Sequence, residues 1–108
     1  MADYLLIESN GPADGPAAAR FVADAATLAS QGAKVALLLI QNGVAGAVAG
    51  IDMGWEEFLS RGGELWVDRF SVRQRALADA DLVAGARLAD MDEVAKKLLT
   101  PGVRAVWH

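Results

Sequence analysis

The stretch Val35-Ala36-Leu37-Leu38-Leu39-Ile40 constrains the fold of this chain more than any other. It has no polar alternation, so a strand built from it must be covered on both faces, as strands in parallel α/β sheets are. It is also far short of the roughly 20 apolar residues that a membrane span requires. Parallel neighbours need crossover connections, and the flanking segments supply them. Tyr4-Leu5-Leu6-Ile7-Glu8 reads as a preceding strand that ends at the turn Asn10-Gly11-Pro12. A helix then starts near Asp14 with Pro16 in its first turn, where a missing N–H costs nothing. Phe21, Val22, Ala25, Leu28 and Ala29 form its apolar face, and Gly32 stops it.

The rest of the chain continues the alternation. Gln41-Asn42-Gly43 is a second turn, and the small residues from Val44 to Gly50 fit either a short helix or an ordered loop. Trp55, Phe58 and Leu59 mark a short amphipathic helix stopped by Gly62-Gly63. Glu64 to Val67 is a third strand, and Ser71 to Asp79 a helix with Arg73 and Arg75 toward solvent. Leu82-Val83-Ala84 reads as a short fourth strand. Asp90 with Glu93 makes a start like a capping box for a helix whose apolar face is Met91, Val94, Ala95, Leu98 and Leu99. Pro101-Gly102 ends it, and Val103 to Trp107 is the last strand. This order predicts a three-layer α/β/α sandwich around a mostly parallel five-stranded sheet, flavodoxin-like in style, with residues 1–108 as a single domain. Right-handed crossovers gather the carboxyl ends of parallel strands on one edge, where ligand sites of open α/β sheets form. That edge collects Asn10-Gly11-Pro12, Gln41-Asn42-Gly43 and Asp68-Arg69-Phe70-Ser71.

Composition narrows the chemistry. Apolar residues are 54% of the chain and charged residues 22%, a globular balance. A net charge of −4 argues against nucleic acid as a partner, since phosphate binding needs clustered Lys and Arg. There is no cysteine, so disulfides, thiolate metal sites and thiol nucleophiles are excluded within this polypeptide. With His108 the single histidine, a His-dependent triad or a multi-histidine metal site within one chain is not expected either. Gly43, Gly46 and Gly50 match neither phosphate-loop pattern and no Lys follows, so packing explains them better and no cofactor is implied. Met1-Ala2-Asp3-Tyr4 carries neither a basic segment nor a cleavage pattern, and a cytoplasmic protein without a membrane partner is expected.

Four segments, in this order and spacing, resemble the DsrE/DsrF-like family. They are Tyr4 to Pro12, Val35 to Val44, Val67-Asp68-Arg69-Phe70-Ser71-Val72-Arg73-Gln74-Arg75, and Val103 to His108. The resemblance spans nearly the whole chain. It implies a small α/β domain that assembles into trimers, hexamers or mixed hexamers with DsrE-, DsrF- or DsrH-like paralogues. It also implies sulfur relay through a persulfide on a cysteine just after the third strand, serving sulfur oxidation or tRNA thiolation. By the spacing to the following arginines, Asp68 stands at that cysteine's position. A carboxylate there enjoys the stabilisation that a helix start gives a thiolate, but it cannot form a stable persulfide. No catalytic residue is therefore assigned.

The candidate ligand-binding residues are Asn10, Gly11, Gln41, Asn42, Gly43, Asp68, Arg69 and Ser71. Each has a plainer reading. Asp68 caps a helix, a task shared with Ser71. Asn10 and Asn42 form turns, because Asn tolerates left-handed backbone. Arg69, Arg73 and Arg75 either bind an anion beside the pocket or line a solvated or subunit-contacting helix face. Of Trp55, Trp66 and Trp107, at least one is expected at an oligomer interface, with Trp55 and Phe58 the natural place. His108 reads as a frayed end. Two functions follow: a cysteine-free, oligomeric accessory or regulatory subunit linked to sulfur transfer, or a protein binding a small ligand or anion, or an enzyme, using the pocket around Asp68.

Overall fold

The computed structural model describes residues 3–108, so Met1 and Ala2, part of the reading of the start of the chain, lie outside the described residues. Five strands form one sheet: β1 (Asp3–Glu8), β2 (Lys34–Leu39), β3 (Glu64–Asp68), β4 (Ala86–Ala89) and β5 (Val103–Trp107). The order is β4-β3-β2-β1-β5, and every neighbouring pair is parallel. The helices are α1 (Ala17–Ser30), α2 (Trp55–Ser60), α3 (Arg69–Gln74) and α4 (Met91–Leu99). Among the described residues, no helix is long and apolar enough to cross a membrane.

The layers follow from the direction of travel. From β1 to β4 the chain steps the same way across the sheet, so right-handed crossovers put α1, α2 and α3 on one face. The last crossover returns past β1 to reach β5, which puts α4 on the other face. Register sorts the apolar residues accordingly. Leu6, Leu37, Leu39, Leu65 and Val67 pack with Val22, Ala25, Phe58 and Val72. Leu5, Ile7, Ala36, Leu38 and Trp66 pack with Ala89 and Val94. The run Val35 to Leu39 is buried throughout, as a strand covered on both faces requires.

Several boundaries differ from expectation. The first helix does not start near Asp14. Pro12–Asp14 is a separate 3-10 turn, closed by the Asp14 N–H on the Gly11 carbonyl at 3.0 Å and by the Gly11 N–H on Asp14 Oδ2 at 2.7 Å. Gly15, at φ 116°, breaks the chain before α1 begins. Gln41–Ala47 is a 3-10 segment. The helix expected to run to Asp79 stops at Gln74, where Ala76 turns left-handed (φ 54°) and the Leu77 N–H bonds back to Val72 O, bringing Leu77 against the core.

The fourth strand is Ala86–Ala89, not Leu82-Val83-Ala84. Leu82 instead bridges Val48 in antiparallel fashion, and the Val83 N–H donates to Ala47 O at 2.8 Å. The apolar tripeptide thus zips onto the 3-10 segment, and Gly85 (φ 91°) turns the chain into the sheet afterwards.

At α4 the box between Asp90 and Glu93 does not form. The Asp90 side chain makes no cap bond and pairs with Arg69 at 3.4 Å, while Glu93 pairs with Arg87. Of the stripe on α4 only Val94 is buried; Met91 and Leu98 are exposed and Leu99 is 82% exposed. Trp55 and Phe58 belong to the chain's own core, with Trp55 Nε1 donating to Gly46 O at 2.8 Å, so α2 offers neither of them to a partner. Trp107 is the exposed tryptophan, at 67%.

Candidate functional site

β3 and β4 exit the sheet toward opposite faces, β3 into α3 and β4 into α4. A crevice opens where neighbouring strands diverge in this way. Here the crevice is a cavity of about 290 Å³ lined by Ile40, Gln41, Asp68, Phe70, Ser71, Gln74 and Met91. The Arg69–Asp90 pair joins the two diverging exits.

Asp68 is the last residue of β3 and the N-cap of α3. Its Oδ2 accepts the Ser71 N–H at 3.2 Å and the Ser71 hydroxyl at 2.6 Å. The Asp-x-x-Ser spacing dictates this, because a cap side chain reaches the N–H three residues on. Ser71 Oγ in turn accepts the Gln41 N–H at 2.8 Å, tying the loop after β2 to the start of α3. The capping role and the share taken by Ser71 are as expected. Asp68 is only 6% exposed, and its Oδ1 has no hydrogen-bond partner among the described residues. Trp66 Nε1, two residues earlier on β3, is likewise buried and unpartnered, and the Arg87 guanidinium lies 4.6 Å from the Trp66 ring centroid.

The candidate residues do not form one site. Gln41, Asp68 and Ser71 share the cavity. Gly11 and Asn42 line a separate depression of about 320 Å³ with Pro12, Asp14 and Arg75. There Arg75 donates to Asn42 Oδ1 at 2.9 Å and also reaches Ser71 O at 3.4 Å. Asn10 gives its N–H to Glu8 Oε2 at 3.1 Å. Gly11 and Gly43 serve close approach of the loops after β1 and β2: a Cβ on Gly11 would sit 2.5 Å from Asn42 O, and one on Gly43 would collide with Glu8 O. Arg69 is engaged by Asp90. A larger hollow of about 430 Å³, between α2 and the segment before β4, gathers none of these residues.

Sequence reasoning missed a second polar centre. Glu8 is fully buried, and its Oε1 lies 2.7 Å from His108 Nδ1. The His108 ring stacks on Phe21 of α1, with centroids 4.7 Å apart and planes at 13°. His108 therefore does not fray: its N–H donates to Ile7 O at 2.8 Å, extending the β1–β5 ladder. One signal was present, since Glu8 shares the strand parity of Leu6, which faces α1. Also missed were Ile40, Phe70, Gln74 and Met91 as walls of the cavity.

What this arrangement offers is a buried carboxylate tied to a serine hydroxyl. The Ser71 hydroxyl donates to a carboxylate and accepts from a backbone N–H, and the imidazole sits beyond β2 and β1, at β5. Ser9 does approach the Glu8–His108 pair, but its hydroxyl donates to the His108 backbone carbonyl at 3.3 Å and makes no hydrogen bond to the ring, so the three are not linked as a nucleophilic triad. What remains is a carboxylate oxygen able to accept one more hydrogen bond within a mostly apolar wall.

No family model matches the sequence, and no curated protein matches it. Thirteen chains of solved structures are similar, among them the following two. The ychN protein from E. coli aligns over 98% of this chain and 100% of its own, with a TM-score of 0.83 and 15% identity. MTH1491 from Methanobacterium thermoautotrophicum, a protein of unknown function, aligns over 100% of both chains, with a TM-score of 0.84 and 10% identity. At such identities the likeness is one of fold, and fold does not carry function. The chain has the DsrE-like α/β fold that these two proteins share.

Proposed function

We propose that this chain is a cytoplasmic, oligomeric accessory or regulatory subunit connected to sulfur transfer, acting by binding and not by covalent relay. The observation that carries this reading is Asp68. It stands where relay members of the resembled family hold a persulfide cysteine, and here it is buried and held by two hydrogen bonds from Ser71. The electrostatic character of the position is kept while the sulfur-carrying atom is absent. Support for a partner comes from large apolar residues left in solvent: Phe70 and Met91 at the cavity, Leu98 and Leu99 on α4, and Val106 and Trp107 on the edge strand β5. Apolar surface of this kind favours subunit contact. Native mass spectrometry, on the protein alone and co-expressed with cysteine-bearing DsrE-like relatives, tests the reading. A trimer, a hexamer or a mixed assembly is expected; a monomer indifferent to those relatives overturns it.

A second reading has its own observation. The buried, unpartnered Oδ1 of Asp68, a residue that lines the cavity at the divergence of β3 and β4, favours a small bound ligand.

A further inference from the structure

We infer that the cavity between α3 and the start of α4 selects a small organic cation, a primary ammonium on a compact apolar body, with Asp68 Oδ1 as its acceptor. The inference rests on the second reading above and specifies its ligand class. A buried carboxylate oxygen without a partner forfeits the free energy of a hydrogen bond, so a donor that reaches it binds with that gain. The amides at the start of the six-residue α3 take no part; the Ser71 N–H is already spent on Asp68 Oδ2.

The sign of the charge is decided by what faces the cavity. Asp68 is the ionisable residue in its wall, and the others are the apolar Ile40, Phe70 and Met91 and the neutral Gln41, Ser71 and Gln74. Among the described residues, no arginine lines the cavity: Arg69 pairs with Asp90, Arg75 with Asn42 and the Ser71 carbonyl, and Arg73 is exposed on α3 outside the lining. An anion would meet a carboxylate with no guanidinium in the wall to offset it, so the anion-binding version of this pocket is disfavoured. An ammonium would gain a charge-assisted hydrogen bond, with its apolar body against Met91 and the exposed ring of Phe70. The volume of about 290 Å³ matches a body of a few carbon atoms.

The experiment uses three probes of nearly one shape, isopentylamine, isopentanol and 3-methylbutanoate, titrated into the protein and followed by amide NMR shifts. Isopentylamine is expected to bind roughly tenfold or more tightly than isopentanol, a charge-assisted against a neutral hydrogen bond, with shifts centred on Gln41 and Ser71. 3-Methylbutanoate is expected not to bind. Asp68→Asn keeps a cap acceptor but removes the charge, and should abolish the preference for the amine. Met91→Lys, at an exposed position, sets a tethered ammonium at the cavity and should block the amine without touching the core. The inference is overturned if the amine binds no more tightly than the alcohol, or if either variant keeps the preference. Equal binding of all three probes would overturn the charge assignment and leave the pocket reading standing; no binding by any probe would overturn both.

Discussion

His108→Ala is the substitution whose outcome is most tightly constrained by the structure. Glu8 is fully buried at the end of β1 and has two partners, the Asn10 N–H at 3.1 Å and the His108 ring at 2.7 Å. Removing the imidazole leaves a buried carboxylate with one backbone donor. Taking a hydrogen bond away from a buried carboxylate costs about 1.5–3 kcal/mol. The His108 side chain is 37% exposed, so water can reach part of the vacated space and the lower end of that range applies. Loss of the ring stacked on Phe21 adds about 0.5–1 kcal/mol. The expected destabilisation is about 2 kcal/mol, which lowers Tm by roughly 8 °C or more in a domain of this size. Glu8→Gln, which keeps an acceptor for Asn10, should cost less. The two changes together should cost less than their sum by about 1.5–3 kcal/mol, the coupling of a charge-assisted bond. Urea denaturation followed by far-ultraviolet circular dichroism measures all four corners of the cycle. The coupling should persist in molar salt, since a pair with one fully buried member is weakly screened. Additive single effects, or a loss below about 0.5 kcal/mol for His108→Ala, would refute the reasoning.

Two further substitutions probe the strand-end loops. Ser71→Ala removes the hydroxyl that joins the Gln41 N–H to Asp68 Oδ2, leaving the Gln41 N–H without its acceptor and the buried Oδ2 with the residue 71 N–H alone; a loss of about 2 kcal/mol is expected, with faster hydrogen exchange at the Gln41 amide as the specific signature. Gly43→Ala drives a methyl into the Glu8 carbonyl, a backbone atom that cannot swing aside, and should cost more than 2 kcal/mol, against about 1 kcal/mol for Gly50→Ala, where φ is 93° but the space is open; comparison of urea midpoints decides it.

The sheet was legible because its information is local. An apolar run without alternation, Val35 to Ile40, admits few interpretations, and the helix-spaced residues before it name the face it covers. The cap at Asp68 was legible for the same reason, since donor and acceptor are three residues apart. Leu82-Val83-Ala84 was misread because an apolar tripeptide does not say whether its partner is a strand or a 3-10 segment; that depends on Ala47 and Val48, far back in the chain. The Asp90 and Glu93 box failed because each carboxylate found an arginine, and arginines from α3 and β4 are invisible to a local motif. Glu8 and His108 are 100 residues apart, and only the β1–β5 register aligns them. The cavity has the same character, drawing its walls from the loop after β2, from α3 and from the first residue of α4.

The hydrogen bonds around Asp68 also bear on what else the position could hold. Ser71 gives both its N–H and its hydroxyl to Asp68 Oδ2. Sulfur is a weak acceptor, so a cysteine placed at 68 today would leave both donors poorly matched and loosen the link to Gln41. Residues 68 and 71 are thus bound together: a cysteine introduced at 68 alone costs stability, and installing a thiol there would require a change at the neighbour as well. A serine fitted to a carboxylate makes the acidic side chain at 68 hard to replace on its own.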